Sequence, residues 1–181
     1  MLVLIPVLSL VTISRPDQES RPPAPGAGGT RQVSGRELRD APVSITIRER
    51  TLSLSAILWR DFSPSMPPVA NGHPMMAIFT VRCADGHPFP AGVRVDQAWV
   101  LFGDKIWAIR DPEEQDETDP TYTDAAGHYR NRPDSSVFRV VARNGPKWTP
   151  GIRVDVVVRL TDSRGCHHFL CAPQQGVGRI N

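Results

Sequence analysis

Between residues 152 and 160 apolar and polar side chains alternate with a period of two. Ile152, Val154, Val156, Val158 and Leu160 fall on one side, and Arg153, Asp155, Val157 and Arg159 on the other. A strand turns successive side chains to opposite faces, so this pattern predicts a strand with one buried face. The same period recurs where Val43, Ile45 and Ile47 alternate with Ser44, Thr46 and Arg48, and where Leu52, Leu54, Ala56 and Leu58 alternate with Ser53, Ser55, Ile57 and Trp59. Ala77, Phe79, Val81 and Cys83 share a third such side. Residues 63–74, 84–92 and 144–151, rich in Gly and Pro, separate the runs and read as loops. The pattern predicts about eight strands, at 43–48, 51–60, 76–83, 97–102, 105–110, 137–143, 152–161 and 166–171, and no amphipathic helix of ten or more residues. An all-β immunoglobulin-like sandwich is the expected fold, with a small β-barrel as the alternative.

Gly103 and Asp104 stand between two apolar runs, the signal of a two-residue hairpin turn. The turn sets Phe102 opposite Lys105, Leu101 opposite Ile106, Val100 opposite Trp107, Trp99 opposite Ala108 and Ala98 opposite Ile109. Both faces of this hairpin are then apolar, more than a two-layer sandwich buries by itself. The face bearing Trp99, Leu101 and Ile106 is therefore either covered by a loop or the N-terminal segment, or left as a partner-binding surface for another protein or a second copy. Trp99 suits the second role, because an aromatic anchor removes much area from water with few rotamers to freeze.

The N-terminal part of the chain follows a different pattern. Residues 2–13 (LVLIPVLSLVTI) carry no charge, and their length fits the apolar region of a signal peptide. They are too short for a bilayer span, which takes about 20 residues. Thr12 and Ser14 are small enough for a signal-peptidase site. Residues 15–41 hold only Val33 and Leu38 from the set Val, Ile, Leu, Met, Phe, Trp and Tyr. So little apolar surface does not offset chain entropy, and the stretch, with its RPPAPGAGG segment, reads as a disordered Pro/Gly-rich linker. A targeting or membrane-tethering segment at 1–14, a linker at 15–41 and a β-sandwich domain at 42–181 is the order of an extracytoplasmic module, secreted or tethered. A cytoplasmic chain is the alternative.

Composition adds to this picture in two places. The 14 Gly and 18 Pro among 181 residues suit a chain of strands and turns. The 19 Arg and two Lys nearly balance 19 carboxylates, for a formal charge of +2, and the arginines are scattered among acidic residues. Without a basic stripe, no nucleic-acid partner is expected. Residues 111–119 (DPEEQDETD) carry six acidic residues and no basic one, at a spacing that matches no EF-hand. They read as the start of a solvated loop that continues to about residue 136.

Cys166, His167, His168 and Cys171 form the one dense cluster of soft metal ligands. On a strand Cys166 and His168 point one way and His167 and Cys171 the other, so they do not converge on a tetrahedral ion without a bend, and no metal or cofactor is expected. Cys166 and Cys171 would be about 16 Å apart on an extended strand, beyond the roughly 7 Å limit for a bridge. Cys83 would have to be the partner of either, or all three remain reduced. His73, His87 and His128 sit in loops without a Ser, Cys or Asp partner motif, and no catalytic residue is expected.

Residues 143–165 (RNGPKWTPGIRVDVVVRLTDSRG), and more loosely residues 58–64 (LWRDFSP), resemble segments of small uncharacterised bacterial proteins with an immunoglobulin-like β-sandwich. The likeness spans roughly residues 50 to 172. Its motifs are structural, so it implies a fold and no site residues. The expected function is a non-catalytic extracytoplasmic module for binding or structural contacts. The alternative is an enzyme or metal-dependent protein using Cys166, His167, His168, Cys171 and the loop histidines.

Overall fold

A computed structural model describes residues 33–64, 68–115, 118–119, 132–133 and 135–181. The apolar segment at 2–13, the greater part of the expected linker and His128 lie outside the described residues. In chain order the elements are α1 (Gly35–Arg39), β1 (Ser44–Ile47), β2 (Arg50–Asp61), β3 (Met75–Cys83), β4 (Arg94–Phe102), β5 (Lys105–Arg110) and β6 (Glu113–Gln115). They continue with β7 (Thr118–Asp119), β8 (Arg132–Pro133), β9 (Val137–Gly145), β10 (Arg153–Thr161) and β11 (His167–Ile180). Each predicted strand is present, and the protein is all-β.

The sheet is open and curled. Its path runs β5-β4-β10-β11-β2-β3-β9-β6, with β1 paired to β2 off that path. Every pairing is antiparallel except β11 with β2, where Val177 to Ile180 lie parallel to Leu58 to Asp61. The Gly103-Asp104 turn sets the register deduced from the sequence, from Phe102 opposite Lys105 to Ala98 opposite Ile109. Gly103 has a φ of 59°, as the first central residue of a type II′ turn requires. The β1–β2 turn carries no such signal: Arg48 and Glu49 both adopt positive φ, where Asn-Gly is the usual choice. Arg48 is held there by its own side chain, which donates to Ala91 O (3.0 Å) and to Ser163 Oγ.

Two features extend beyond the sequence pattern. β11 continues to Ile180, where the apolar alternation has ended at Pro173. A bulge falls at that point, since the register shifts between Val154 opposite Gln175 and Val156 opposite Ala172. Proline has no N–H to offer a ladder and fits such a site. The N–H of Gln174 donates instead to Asp155 Oδ1 at 2.9 Å. In addition, Glu113 and Glu114, expected in a solvated loop, form β6 on the outer edge of β9. Charged side chains blunt an exposed edge, and Glu113 also meets Arg143 at 3.5 Å.

The main core fills the inside of the curl. Leu52, Leu58, Phe79, Val81, Ala98, Val100, Val156, Val158, Leu160 and Leu170 are all within 2 % of complete burial. Trp107 of β5 reaches across to β9, where a Cβ on Gly145 would lie 2.7 Å from the indole ring. The first strand of the path and the last but one therefore meet through an aromatic ring on a glycine. Arg60, at the end of β2, is 1 % exposed and faces no carboxylate among its hydrogen-bond partners. Its guanidinium donates to the carbonyls of His73 (3.1 Å), Lys147 and Trp148 (both 3.2 Å) and Asn71, and lies over the Phe62 ring. Carbonyl dipoles from two loops solvate the charge in place of water.

Two stability outcomes follow. Gly145→Ala drives a methyl into Trp107 and should cost about 1–3 kcal/mol in denaturant unfolding, with a smaller cost in a Trp107→Leu background. Arg60→Lys keeps the charge but loses the planar fork that serves four carbonyls, and should cost about 2–3 kcal/mol in the same measurement. An unchanged midpoint for either variant would contradict the packing described.

Candidate contact surface

Strands β4, β10 and β11 present apolar side chains to both sides. Ala98, Val100, Val156, Val158 and Leu170 point into the main core. Trp99, Leu101, Val157 and Cys171 point outward and form a second buried cluster with Leu38 of α1. The rim is made by Val33, Ala41 and Phe169, and the Phe169 ring lies 5.9 Å from that of Trp99.

The cover is a short strap, residues 33–42. Ser34 caps α1, with its Oγ accepting from Glu37 N at 3.2 Å, and Ser34 to Glu37 (SGRE) matches the capping-box pattern. A five-residue helix is too short to persist alone, so its order derives from docking. Leu38 is 1 % exposed, which contributes about 1.5–3 kcal/mol. Arg39 Nη2 donates to Gly103 O at 3.0 Å, and Cys171 N donates to Pro42 O at 2.7 Å. The Arg36–Asp40 ion pair within the strap joins exposed side chains.

Trp99, Leu101 and Ile106, singled out as a partner-binding surface, are indeed neighbours, with Leu101 directly opposite Ile106. Trp99 and Leu101 are nevertheless each 4 % exposed beneath the strap, and only Ile106, at 43 %, is open to solvent. Of the two outcomes that the hairpin register allowed, covering by the chain's own residues is the one found at Trp99 and Leu101. The folded unit runs from Val33 to Asn181, so it starts ahead of the boundary expected at residue 42. Averaging composition over residues 15–41 hid this. One leucine suffices when the sheet already supplies an apolar seat, and the SGRE cap was the local signal that marks the helix.

The soft-ligand cluster is dispersed. Cys166 is exposed, Cys171 lies under Leu38, and Cys83 is buried in the main core; all three are free thiols. Burial, with Asp155 nearby, pushes the Cys171 thiol up, and burial with Asp85 nearby does the same to Cys83. His167 Nδ1 is 2.9 Å from Thr161 Oγ1, whereas His168 Nε2 lies 3.7 Å from Asp162 Oδ2. Among the described residues no three His, Cys, Asp or Glu side chains are placed to hold a metal ion.

A polar network borders the covered face. Asp96, at 15 % side-chain exposure, accepts two bonds from Arg159 (2.9 and 3.0 Å) and one from Thr161 Oγ1 (2.7 Å). Because the carboxylate only accepts, Thr161 spends its hydrogen on Asp96, and His167 must donate its Nδ1–H to Thr161. Burial raises the Asp96 carboxyl, but the bonds from Arg159 and Thr161 and the Arg159 charge outweigh it and hold the carboxyl below its ordinary value. These groups satisfy one another and point no free partner into a cavity. Beside the strap an open depression of about 400 Å³ is lined by Glu37, Asp40, Ala41, Pro42, Ile45, His168 and Phe169.

Compared with known proteins, the chain matches no family model, no curated protein and no solved structure at a significant level.

Since Asp96 has a lowered carboxyl in the folded state, its contribution is complete above the ordinary carboxylate value near pH 4 and is lost as pH falls through the lower folded value. Asp96→Asn should lower stability by about 3 kcal/mol at pH 7 and flatten the loss on acidification below about pH 4. Unfolding in denaturant across that range reads both effects, and an acid profile identical to that of the parent would overturn the role given to the pair.

Proposed function

We propose that this protein is a non-catalytic, immunoglobulin-like module that works by binding or structural contact outside the cytoplasm. The fold reading is supported by the strand order. β2-β3-β9-β6 corresponds to the A-B-E-D sheet of an immunoglobulin domain, and β11-β10-β4 to its G-F-C sheet, with β5 extending it. The contact reading is carried by one observation: the outer face of β4, β10 and β11 is apolar and already packs against side chains from outside the sheet. Trp99, Leu101 and Ile106 remain its anchors, with a second protein as partner once the strap is displaced. Asp96, Arg159, Thr161 and His167 nearby are engaged with one another, which supports a structural role for them.

The compartment reading is supported by the uncharged run at residues 2–13 and the Pro/Gly-rich spacer behind it. The described residues contain no helix long and apolar enough to cross a membrane. Fractionating cells that express the gene and sequencing the mature N-terminus tests it. The expected product is extracytoplasmic, either starting after Ser14 or retained at the membrane by the apolar run. Recovery of the intact chain in the cytosol would overturn it.

A further inference from the structure

We propose that the outer face of β4, β10 and β11 is a binding seat for a short segment of another protein carrying an aliphatic side chain next to an arginine, with residues 33–42 as its built-in, displaceable occupant. The inference rests on the reading of this module as one that works by contacts, and names the partner chemistry for that surface.

The strap shows what the seat accepts. Trp99, Leu101, Val157 and Cys171 form a slot for one aliphatic side chain, filled by Leu38. Gly103 O at the β4–β5 turn takes a guanidinium N–H, supplied by Arg39, and the Cys171 N–H gives to a carbonyl, supplied by Pro42. These requirements fall on two adjacent side chains and one main-chain oxygen, so a short peptide meets all of them. Specificity comes from shape at the slot and from the fork geometry of arginine.

The occupant is also short and largely exposed. Leu38 is its one fully buried side chain, and Ser34, Arg36, Arg39 and Asp40 are exposed. The strands beneath it are held by ladders on both sides: β10 pairs with β4 along one edge and with β11 along the other. Release of the strap breaks no ladder of β10 and leaves the sheet intact, the definition of a local opening. What it uncovers includes Trp99, a residue type favoured as an interface anchor. A trans segment competes with the strap, so its apparent affinity is reduced by the fraction of molecules that are open, and weakening the strap raises it.

Three free thiols at three depths make this measurable in the full chain. Cys166 is exposed, Cys171 lies under the strap, and Cys83 is in the main core. Timed alkylation with peptide-resolved mass spectrometry should label Cys166 first, Cys171 at an intermediate rate, and Cys83 only at the rate of global unfolding. Leu38→Ala should speed Cys171 labelling by roughly tenfold or more with Cys83 unchanged. A synthetic peptide of residues 33–42 (VSGRELRDAP), added to the Leu38→Ala protein, should slow Cys171 again, and the same peptide with Leu38→Asp should not.

Labelling of Cys171 and Cys83 at one common rate, in the parent or in Leu38→Ala, would overturn the proposal, because the strap would then be inseparable from the sheet. So would a peptide without effect on Cys171, which denies a seat in trans. A dimer in light scattering that requires Leu38 would overturn it as well, by giving the seat to the strap of a second copy. None of these depends on the compartment: a cytosolic location would sink the extracytoplasmic reading and leave the order of thiol reactivity untouched.

Discussion

β11 carries two ladders on one backbone, and the rest of the sheet depends on that division. Residues 167–176 pair antiparallel with β10, and its last four residues pair parallel with β2. The change comes between Gly176 and Val177, just past the bulge at Pro173 and Gln174, where a main-chain N–H is handed to Asp155. On β2, β11 takes the edge at residues 58–61 and β1 takes residues 50–53. The Gln175 side chain accepts from Ala56 N at 3.3 Å in the gap between them. Without that crossing, β5-β4-β10 and β2-β3-β9-β6 would be separate sheets, each with an unpaired edge and a half-covered apolar face.

With the sheet continuous, curling closes the core from both ends. Trp107 seats on Gly145, so the free edge strand β5 is packed through a side chain and not through another ladder, and at the end of β4 the Phe102 ring lies tilted against Trp148 at 5.6 Å. The same curl leaves β4, β10 and β11 with an apolar outer side that faces away from the core. Leu38 and its strap remove that side from water at small cost in chain order, since only one helical turn has to form.

Two polar groups withdrawn from water, Arg60 and Asp96, are matched by hydrogen bonds and not by bulk solvent. Arg60 uses loop carbonyls, which ties the segments around residues 71–73 and 147–148 to the end of β2. Asp96 uses Arg159 and Thr161, which joins β4 to β10 at the point where their register shifts. Both networks sit where regular pairing is interrupted or ends, so they specify geometry that apolar packing alone leaves loose.

The sequence by itself determined the strands and their facing. Period two in residues such as Val154, Val156 and Val158 is a direct image of the pleat, and the Gly103-Asp104 turn specifies a register because a two-residue loop leaves no slack. It also showed that Trp99 and Leu101 form a surplus apolar face. What covers that face was decided by tertiary structure alone. Leu38 lies far from β4 in sequence, within a stretch whose average composition is that of a linker, and a five-residue helix has no periodicity long enough to read. The course of β11 past Pro173 was hidden for a related reason: its pairing is set by the free edge of β2, a long-range partner that no local pattern of residues records. The engagement of Arg60 with loop carbonyls was likewise invisible, because main-chain oxygens are present at every position and only the folded chain brings four of them to one guanidinium.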